Sequence, residues 1–360
     1  MYPDLAVRKV VIYRTGSLGD TVVALPSFHL IARAFPQAER VLLTDIPVHQ
    51  KAPTAMAVLA GTGLVHGDMR YAGATRNPKA ILRTLGEIRR YRPDVLVHLM
   101  PRGSLKEIRR DRIFFRLAGA RHIVGLDAGP LQHRPDAATG LYESQASLLA
   151  RSIAELGDGE VENPANWSLH LSSDEQEKAL RALAPLAGRP LMVCGPGTKM
   201  QSKDWGQENW RVLLGRLYQR YQHYALVTIG AKEELQYCEY AAQDWAGAKL
   251  NLAGLPPRET AAAIRNGAVF LGPDSGQMHL AASVGVPSVV VFSARNKPGV
   301  WFPFGTKNRV IYHRTECMGC QLQTCVLMEK KCILSVTVDE MECAVQAAMT
   351  PIATPSPAAL

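Results

Sequence analysis

Short apolar runs rich in Val, Ile and Leu alternate with helical patterns from one end of this chain to the other, and that alternation constrains the fold more than any other feature. The first half holds "KVVIY" (9–13), "RVLLT" (40–44), "DVLVHL" (94–99) and "HIVGL" (122–126), with helical stretches around 21–35, 78–90, 104–118 and 143–156. Runs this short and apolar on both faces belong in a parallel sheet covered by helices. Near 163–190 the rhythm changes: a short strand, a helix with Ser172 or Ser173 as N-cap, and the stop "PLAGRP". Alternation restarts at "LMVCG" (191–195) and runs through "ALVTIG" (225–230), "KLNLAG" (249–254), "VFLG" (269–272) and "SVVVF" (288–292). The expectation is an α/β protein of two Rossmann-like, doubly wound domains, 1–172 and 191–349, joined by a linker at 173–190. Thr337 caps the last helix, and the tail 350–360, without apolar periodicity, is expected to be disordered. In such folds strand ends and helix N-termini converge on the ligand, so a cleft between the domains is the expected site.

Composition removes several function classes. The longest weakly interrupted apolar run, "AASVGVPSVVVF" (281–292), is broken by Pro287 and falls short of the roughly 18 residues a spanning helix needs. The start "MYPDLAVRKVVIY" carries Asp4 early and lacks a long apolar block, so it reads as a cytoplasmic protein's N-terminus rather than a signal peptide. A formal charge of +9, from 41 Lys and Arg against 32 Asp and Glu, implies an anionic partner. Much of that charge lies in "LRTLGEIRRYRPD" and "RGSLKEIRRDRIFFRLAGARH" of the first half. Nucleic acid as the partner calls for exposed aromatics among the basic residues, whereas only 7% of the chain is aromatic.

Three constellations carry chemistry. "YRTGSLGDTVVALP" (13–26) follows the first strand and sets Gly16, Gly19 and Asp20 ahead of a helix; it matches neither the P-loop nor the dinucleotide fingerprint. It is either a plain turn or a loop presenting an ionised carboxylate, stabilised by backbone N–H groups, as a base. "FLGPDSGQMH" (270–279) brings Asp274, Ser275, Gly276 and His279 to a strand end and helix start, an arrangement that binds phosphate without a P-loop. "CGPGTKMQSKDWGQENW" (194–210) supplies a glycine-rich loop with Thr198, Lys199, Lys203 and Trp205; a lysine there either neutralises a leaving diphosphate or is simply solvated. Of seven cysteines, Cys317, Cys320, Cys325 and Cys332 crowd into "CMGCQLQTCVLMEKKC", which reads either as a structural zinc site or as four thiols packing a loop.

Together these motifs resemble glycosyltransferase family 9, the ADP-heptose:lipopolysaccharide heptosyltransferases. "VIYRTGSLGDTVVALPSFHLIARAFP" is similar to the family's N-terminal strand, glycine loop and helix, and "GPGTKMQSKDWGQENW" to its loop ending in K-x-W. "FLGPDSGQMHLAASVGVPSVVVFS" looks like its D-[ST]-G-x-x-H signature, with Ser275 where threonine is usual. The resemblance spans about residues 8–349 and is weakest across 45–165. "FSARNKPGVWFPFG" departs from it, being made basic by Arg295 and Lys297.

The resemblance implies a GT-B fold and inverting, metal-independent transfer of heptose from ADP-heptose to a lipopolysaccharide inner-core acceptor. Asp20 would be the base and Lys203 would stabilise the departing diphosphate. The donor set would be Gly16, Gly19, Thr198, Lys199, Gly230, Glu233, Leu252, Gly254, Asp274, Ser275, Gly276 and His279. Arg102, Lys106, Arg109 and Arg110 would face an anionic glycolipid acceptor, with peripheral contact at the inner membrane surface. No cofactor is required in this reading, and zinc, if bound, is structural. The alternatives are the same fold moving a hexose or N-acetylhexosamine to a cell-surface glycan, a basic nucleic-acid-binding protein with a four-cysteine cluster, and a small-molecule binding protein without turnover.

Overall fold

The computed structural model describes residues 7–46, 53–72, 77–127, 129–326 and 328–350. The chain forms two compact units: Met1–Ala179 with Pro256–Ala262 and Lys297–Phe302, and Leu180–Leu255 with Ala263–Asn296 and Pro303–Leu360. The first unit thus ends its main stretch at Ala179, and two short later segments belong to it.

The first unit runs β1 (Lys9–Tyr13), α1 (Leu18–Val22), α2 (Leu25–Ala34), β2 (Glu39–Ile46), α3 (Met56–Leu59), β3 (Gly67–Ala72), α4 (Pro78–Tyr91), β4 (Val95–His98), α5 (Leu105–Leu117), β5 (His122–Val124) and α6 (Gln145–Ser152). Its five strands are parallel in the order β3-β2-β1-β4-β5. All four residues of β4 are buried, as a strand covered on both faces requires. The edge strand β3, "GDMRYA", is half-exposed and mixed in polarity, so no apolar run announces it. No strand forms where a short one was expected in 163–172: Pro164–Trp167 is a 3₁₀ turn, because Asn163 accepts the N–H of Ala165 and closes the chain on itself. α7 (Ser173–Leu183) follows, with Ser172 at its cap and the Glu175 carboxylate accepting the Ser172 N–H.

The second unit runs β6 (Leu191–Cys194), α8 (Gln207–Arg220), β7 (Ala225–Thr228), α9 (Leu235–Ala241), β8 (Lys249–Asn251), α10 (Pro257–Ile264, whose first six residues belong to the first unit), β9 (Gly267–Pro273), α11 (Gly276–Ser283), β10 (Ser288–Phe292), β11 (Arg309–Tyr312), α12 (Lys331–Leu334) and α13 (Val338–Met349). Its six parallel strands are ordered β11-β10-β9-β6-β7-β8. Trp210, Leu213, Leu214 and Leu217 fall at i, i+3, i+4 and i+7, so α8 presents one apolar stripe to the sheet, and all four are wholly buried. Trp205, packed edge-on to Trp210 at 4.8 Å, donates its indole N–H to the Val336 carbonyl at 2.8 Å. That anchor lies two residues beyond Lys203. Thr337 caps α13 as expected, in a box with Glu340. The tail 351–360 lies outside the described residues.

In each sheet the strand order reverses beside the first strand, at β1/β4 and at β6/β9. The loops leaving those strands are where a doubly wound sheet presents its ligand site. They are the loops that carry Asp20, Lys203 and Asp274.

Candidate active site

In the first unit the loop after β1 closes on itself. Gly16 has φ +127°, and a Cβ there would come within 2.4 Å of the Asp20 Cβ, so only glycine permits this turn. The Ser17 N–H and hydroxyl both donate to Asp20 Oδ2, at 2.8 and 2.9 Å, which makes Asp20 a cap for α1. Its other oxygen, Oδ1, lies 4.0 Å from Arg14, and the side chain stays one-third exposed. Arg14 is buried and donates to the Asp20 carbonyl at 2.8 Å; burial lowers its pKa, with the Asp20 charge opposing. Capping and presentation thus coexist: Oδ2 holds the turn and Oδ1 stays open. Gly19 is buried inside α1.

In the second unit β9 delivers Asp274 and Ser275 to the start of α11. Asp274 is 3% exposed, and its carboxylate meets the Lys203 ammonium at 2.9 Å as an ion pair whose angles are not those of a hydrogen bond. Ser275 occupies the N-cap position with extended backbone, yet its hydroxyl makes no capping bond and is buried with no hydrogen-bond partner among the described residues. The first N–H groups of any helix lack intrahelical partners, so this turn holds unsatisfied donors beside a cation. His279, on the next turn, is 3% exposed.

Around this centre the structure gathers residues that the sequence did not single out. Gln277 is half-buried and hydrogen-bonds Glu234, and its amide oxygen is buried with no hydrogen-bond partner among the described residues. Glu234 accepts the Ala231 N–H at 2.7 Å and fills the space over Gly197, where a Cβ would come within 2.4 Å of the carboxyl carbon. Burial raises the Glu234 pKa against the pull of the Ala231 N–H, Gln277 and Lys199. Burial likewise lowers the Lys199 pKa, with Glu234 and Glu233 opposing, although much of that residue's surface is open to solvent. Glu233, the acid singled out from the sequence, is exposed, and its neighbour turns inward instead. The A-x-x-E spacing of 231–234, a cap pattern, was the signal available for Glu234.

The remaining expected residues divide. Thr198 is half-buried on the glycine loop; the Leu252 and Gly254 N–H groups bond the Thr228 and Gly230 carbonyls, continuing the β7 edge. Lys106, Arg109 and Arg110 are exposed on α5. Arg102 turns inward instead: it is 6% exposed and its guanidinium donates to the carbonyls of Gly125, just after β5, and Ser152, at the end of α6, a clamp within its own unit. The sequence placed Arg102 after a strand, which does not reveal that carbonyls wait beneath it.

Among the described residues the four clustered cysteines form no disulfide. Burial first, then the charges of Cys317, Cys325 and Cys320, raise the Cys332 pKa. Among the described residues no three His, Cys, Asp or Glu side chains gather as a metal ligand set. The segment ties instead to the Lys203 loop: the Ser202 hydroxyl donates to the Leu322 carbonyl, the Cys325 N–H to Gln201, and Lys330 to the Asp204 carbonyl. Among the described residues no helix is long and apolar enough to cross a membrane.

The sequence model described as "Glycosyltransferase family 9 (heptosyltransferase)" matches residues 132–331. No curated protein matches the sequence. A family 9 glycosyl transferase from Veillonella parvula superposes with a TM-score of 0.73 at 15% identity, covering 95% of this chain and 97% of its own. The E. coli ADP-heptose LPS heptosyltransferase II gives 0.65 at 18% identity, covering 95% and 98%. The E. coli heptosyltransferase WaaC with ADP gives 0.63 at 15%, covering 94% and 99%.

Proposed function

The chain belongs to glycosyltransferase family 9, with the GT-B class of fold, and from that premise we propose that it transfers heptose from ADP-heptose to a hydroxyl of an anionic glycolipid of the lipopolysaccharide inner core. That it is a glycosyltransferase using a nucleotide-sugar donor follows from the family and the neighbours. The observation that carries the finer reading is the pairing of Lys203 with Asp274 beside the unpartnered Ser275 hydroxyl at the start of α11. A diphosphate arriving there meets a cation, a helix N-terminus and a hydroxyl at once, all preorganised in a buried setting. Charge developing on the leaving diphosphate is offset by Lys203 in place of a divalent ion. Glu234, Gln277 and Lys199 are positioned to hold the rest of the donor.

Asp20 Oδ1 is the base in this reading, taking the acceptor's proton as the new C–O bond forms on the face opposite the leaving group, which inverts the anomeric carbon. Lys106, Arg109 and Arg110 would meet the anionic acceptor, at a membrane surface the chain touches without spanning. Zinc on the four cysteines would only brace the Lys203 loop; one zinc per chain by elemental analysis supports it, and none defeats it.

The test is turnover with ADP-heptose, UDP-hexoses, UDP-N-acetylhexosamines and GDP-sugars, in the presence and absence of EDTA. Preference for ADP-heptose that survives EDTA is expected. A uridine or guanosine preference replaces the heptosyl reading, and loss of rate with EDTA removes metal independence.

A further inference from the structure

One cavity in the first unit shares only Arg110 with the residues assigned above. It measures about 480 Å³, within the roughly 300–1,000 Å³ of small-molecule sites. Its walls include Tyr13, Tyr71, Phe114, Phe115, Arg110 and Asp111, brought together by the ends of β1 and β3 and the middle of α5; Ile81 and Thr84 of α4 close another side.

The chemistry of the walls is mixed in a specific way. Tyr13 packs edge-on to Phe115 at 5.2 Å and lies 6.2 Å from the Tyr71 ring, and Phe114 packs edge-on to Phe115. The Tyr13 and Tyr71 hydroxyls bond each other at 2.9 Å. Two hydroxyls sharing one hydrogen bond keep a second proton and further lone pairs to offer. Arg110 donates Nε–H to Asp111 at 2.7 Å; among the described residues its terminal amino groups have no partner. Asp111 is in turn 3.4 Å from the buried His98, whose Nδ1 has no hydrogen-bond partner among the described residues. Aromatic faces attract the C–H faces of a saturated ring, hydroxyls and a carboxylate match its hydroxyl groups, and a free guanidinium fork matches an acid. An acyl chain would bury those same polar groups against hydrocarbon, which disfavours it.

The place is also right for a substrate. Asp45 is the ladder partner of Tyr71, and its carboxylate accepts the Gly16 N–H at 3.3 Å, so one residue of β2 links the strand that carries Tyr71 to the Asp20 loop. Arg110 lines the cavity, and Lys106, Arg109, Arg112 and Arg116 on the same helix add positive charge that complements an acid.

We propose that this cavity is a carbohydrate subsite that takes a sugar ring bearing a carboxylate or phosphate, stacked on Tyr71 and Phe114 with its acid on Arg110. The inference rests on reading the acceptor as an anionic glycan.

The test is saturation-transfer NMR on the full chain with galacturonic acid, glucose 6-phosphate, galactose and decanoate. Transfer to the ring protons of the two acidic sugars is expected, weaker for galactose. Arg110→Gln should lower the acidic sugars to the galactose level, about tenfold weaker, as for one lost charge-assisted hydrogen bond. Tyr71→Ala and Ile81→Trp should abolish transfer; the second fills the cavity from an exposed helix position, so it does not depend on Tyr71→Ala folding well. Decanoate binding in preference to the sugars, no transfer to any sugar, or full transfer with Ile81→Trp overturns the subsite. Release of sugar from ADP-heptose into water by the wild-type chain reports on the transferase reading separately: turnover without sugar binding defeats the subsite alone.

Discussion

Two turns in this molecule are built alike and finished differently. Each leaves the first or fourth strand of a doubly wound sheet, each reaches a helix within a few residues, and each carries an aspartate. The turn at Gly16–Asp20 satisfies itself, because Asp20 caps its own helix through two hydrogen bonds from Ser17. The turn at Asp274–Ser275 does not: the serine at the cap position leaves its hydroxyl unpaired, and the aspartate pairs with Lys203 from another loop. Buried polar atoms without partners are costly, so a fold keeps them where a ligand will complete them. That criterion supports reading the second turn as a binding site. The first is a finished piece of structure with one free oxygen.

Asp20→Asn tests that free oxygen and carries the largest expected effect. The amide retains an acceptor for the Ser17 N–H, so thermal stability should stay near wild type, while the transfer rate falls by about 10²–10⁴ as general-base catalysis is lost. Unchanged transfer would reduce Asp20 to a cap.

Lys203→Ala comes next. It leaves Asp274 buried and uncompensated, for an expected loss of about 3–5 kcal/mol in denaturant unfolding. The double change Lys203→Met with Asp274→Leu should recover most of that stability. Failure to recover would mean the pair shapes the turn rather than the charge balance.

A largely buried pair on other elements of the first unit serves as a control. Glu175 bonds Arg258 through both oxygens, with side chains 18% and 7% exposed. Hydrogen bonds from Arg258, outweighing burial, hold the Glu175 pKa below its ordinary value. A depressed carboxylate contributes stability that is present above its ordinary pKa and is lost as pH falls through the lowered one. Melting temperature should therefore fall more steeply between pH 5 and pH 3 in wild type than in Glu175→Gln, with turnover at neutral pH little affected. Equal acid limbs would contradict the assignment.

Ser275→Ala carries the smallest expected change. Removing an unpaired hydroxyl should leave stability within about 0.5 kcal/mol and weaken donor binding by about five- to tenfold, the worth of one hydrogen bond. A marked loss of stability would show that the hydroxyl has a partner in the protein.

These two turns also show how far the sequence carries. The Asp274–Ser275–Gly276 run and Lys203 with its Trp205 anchor were legible because strand end, cap and helix start are local patterns. The strands that pass through both cores, such as "KVVIY" and "SVVVF", were legible from apolar continuity, whereas "GDMRYA" at an edge has no such continuity to show. Which of Glu233 and Glu234 turns inward was not legible: it depends on the space over Gly197 and the N–H of Ala231, supplied by two different loops. Arg102 misled for the same reason, since its carbonyl partners at Gly125 and Ser152 lie 23 and 50 residues away along the chain.

The central claim is a division of labour, with diphosphate held by the second unit and the proton taken by the first. Calorimetric titration with ADP tests it most directly, on wild type, Asp20→Asn and the stability-matched Lys203→Met with Asp274→Leu. The account predicts equal affinity in the first two and binding lost in the third. Binding lost in Asp20→Asn, or retained in the double variant, would contradict it.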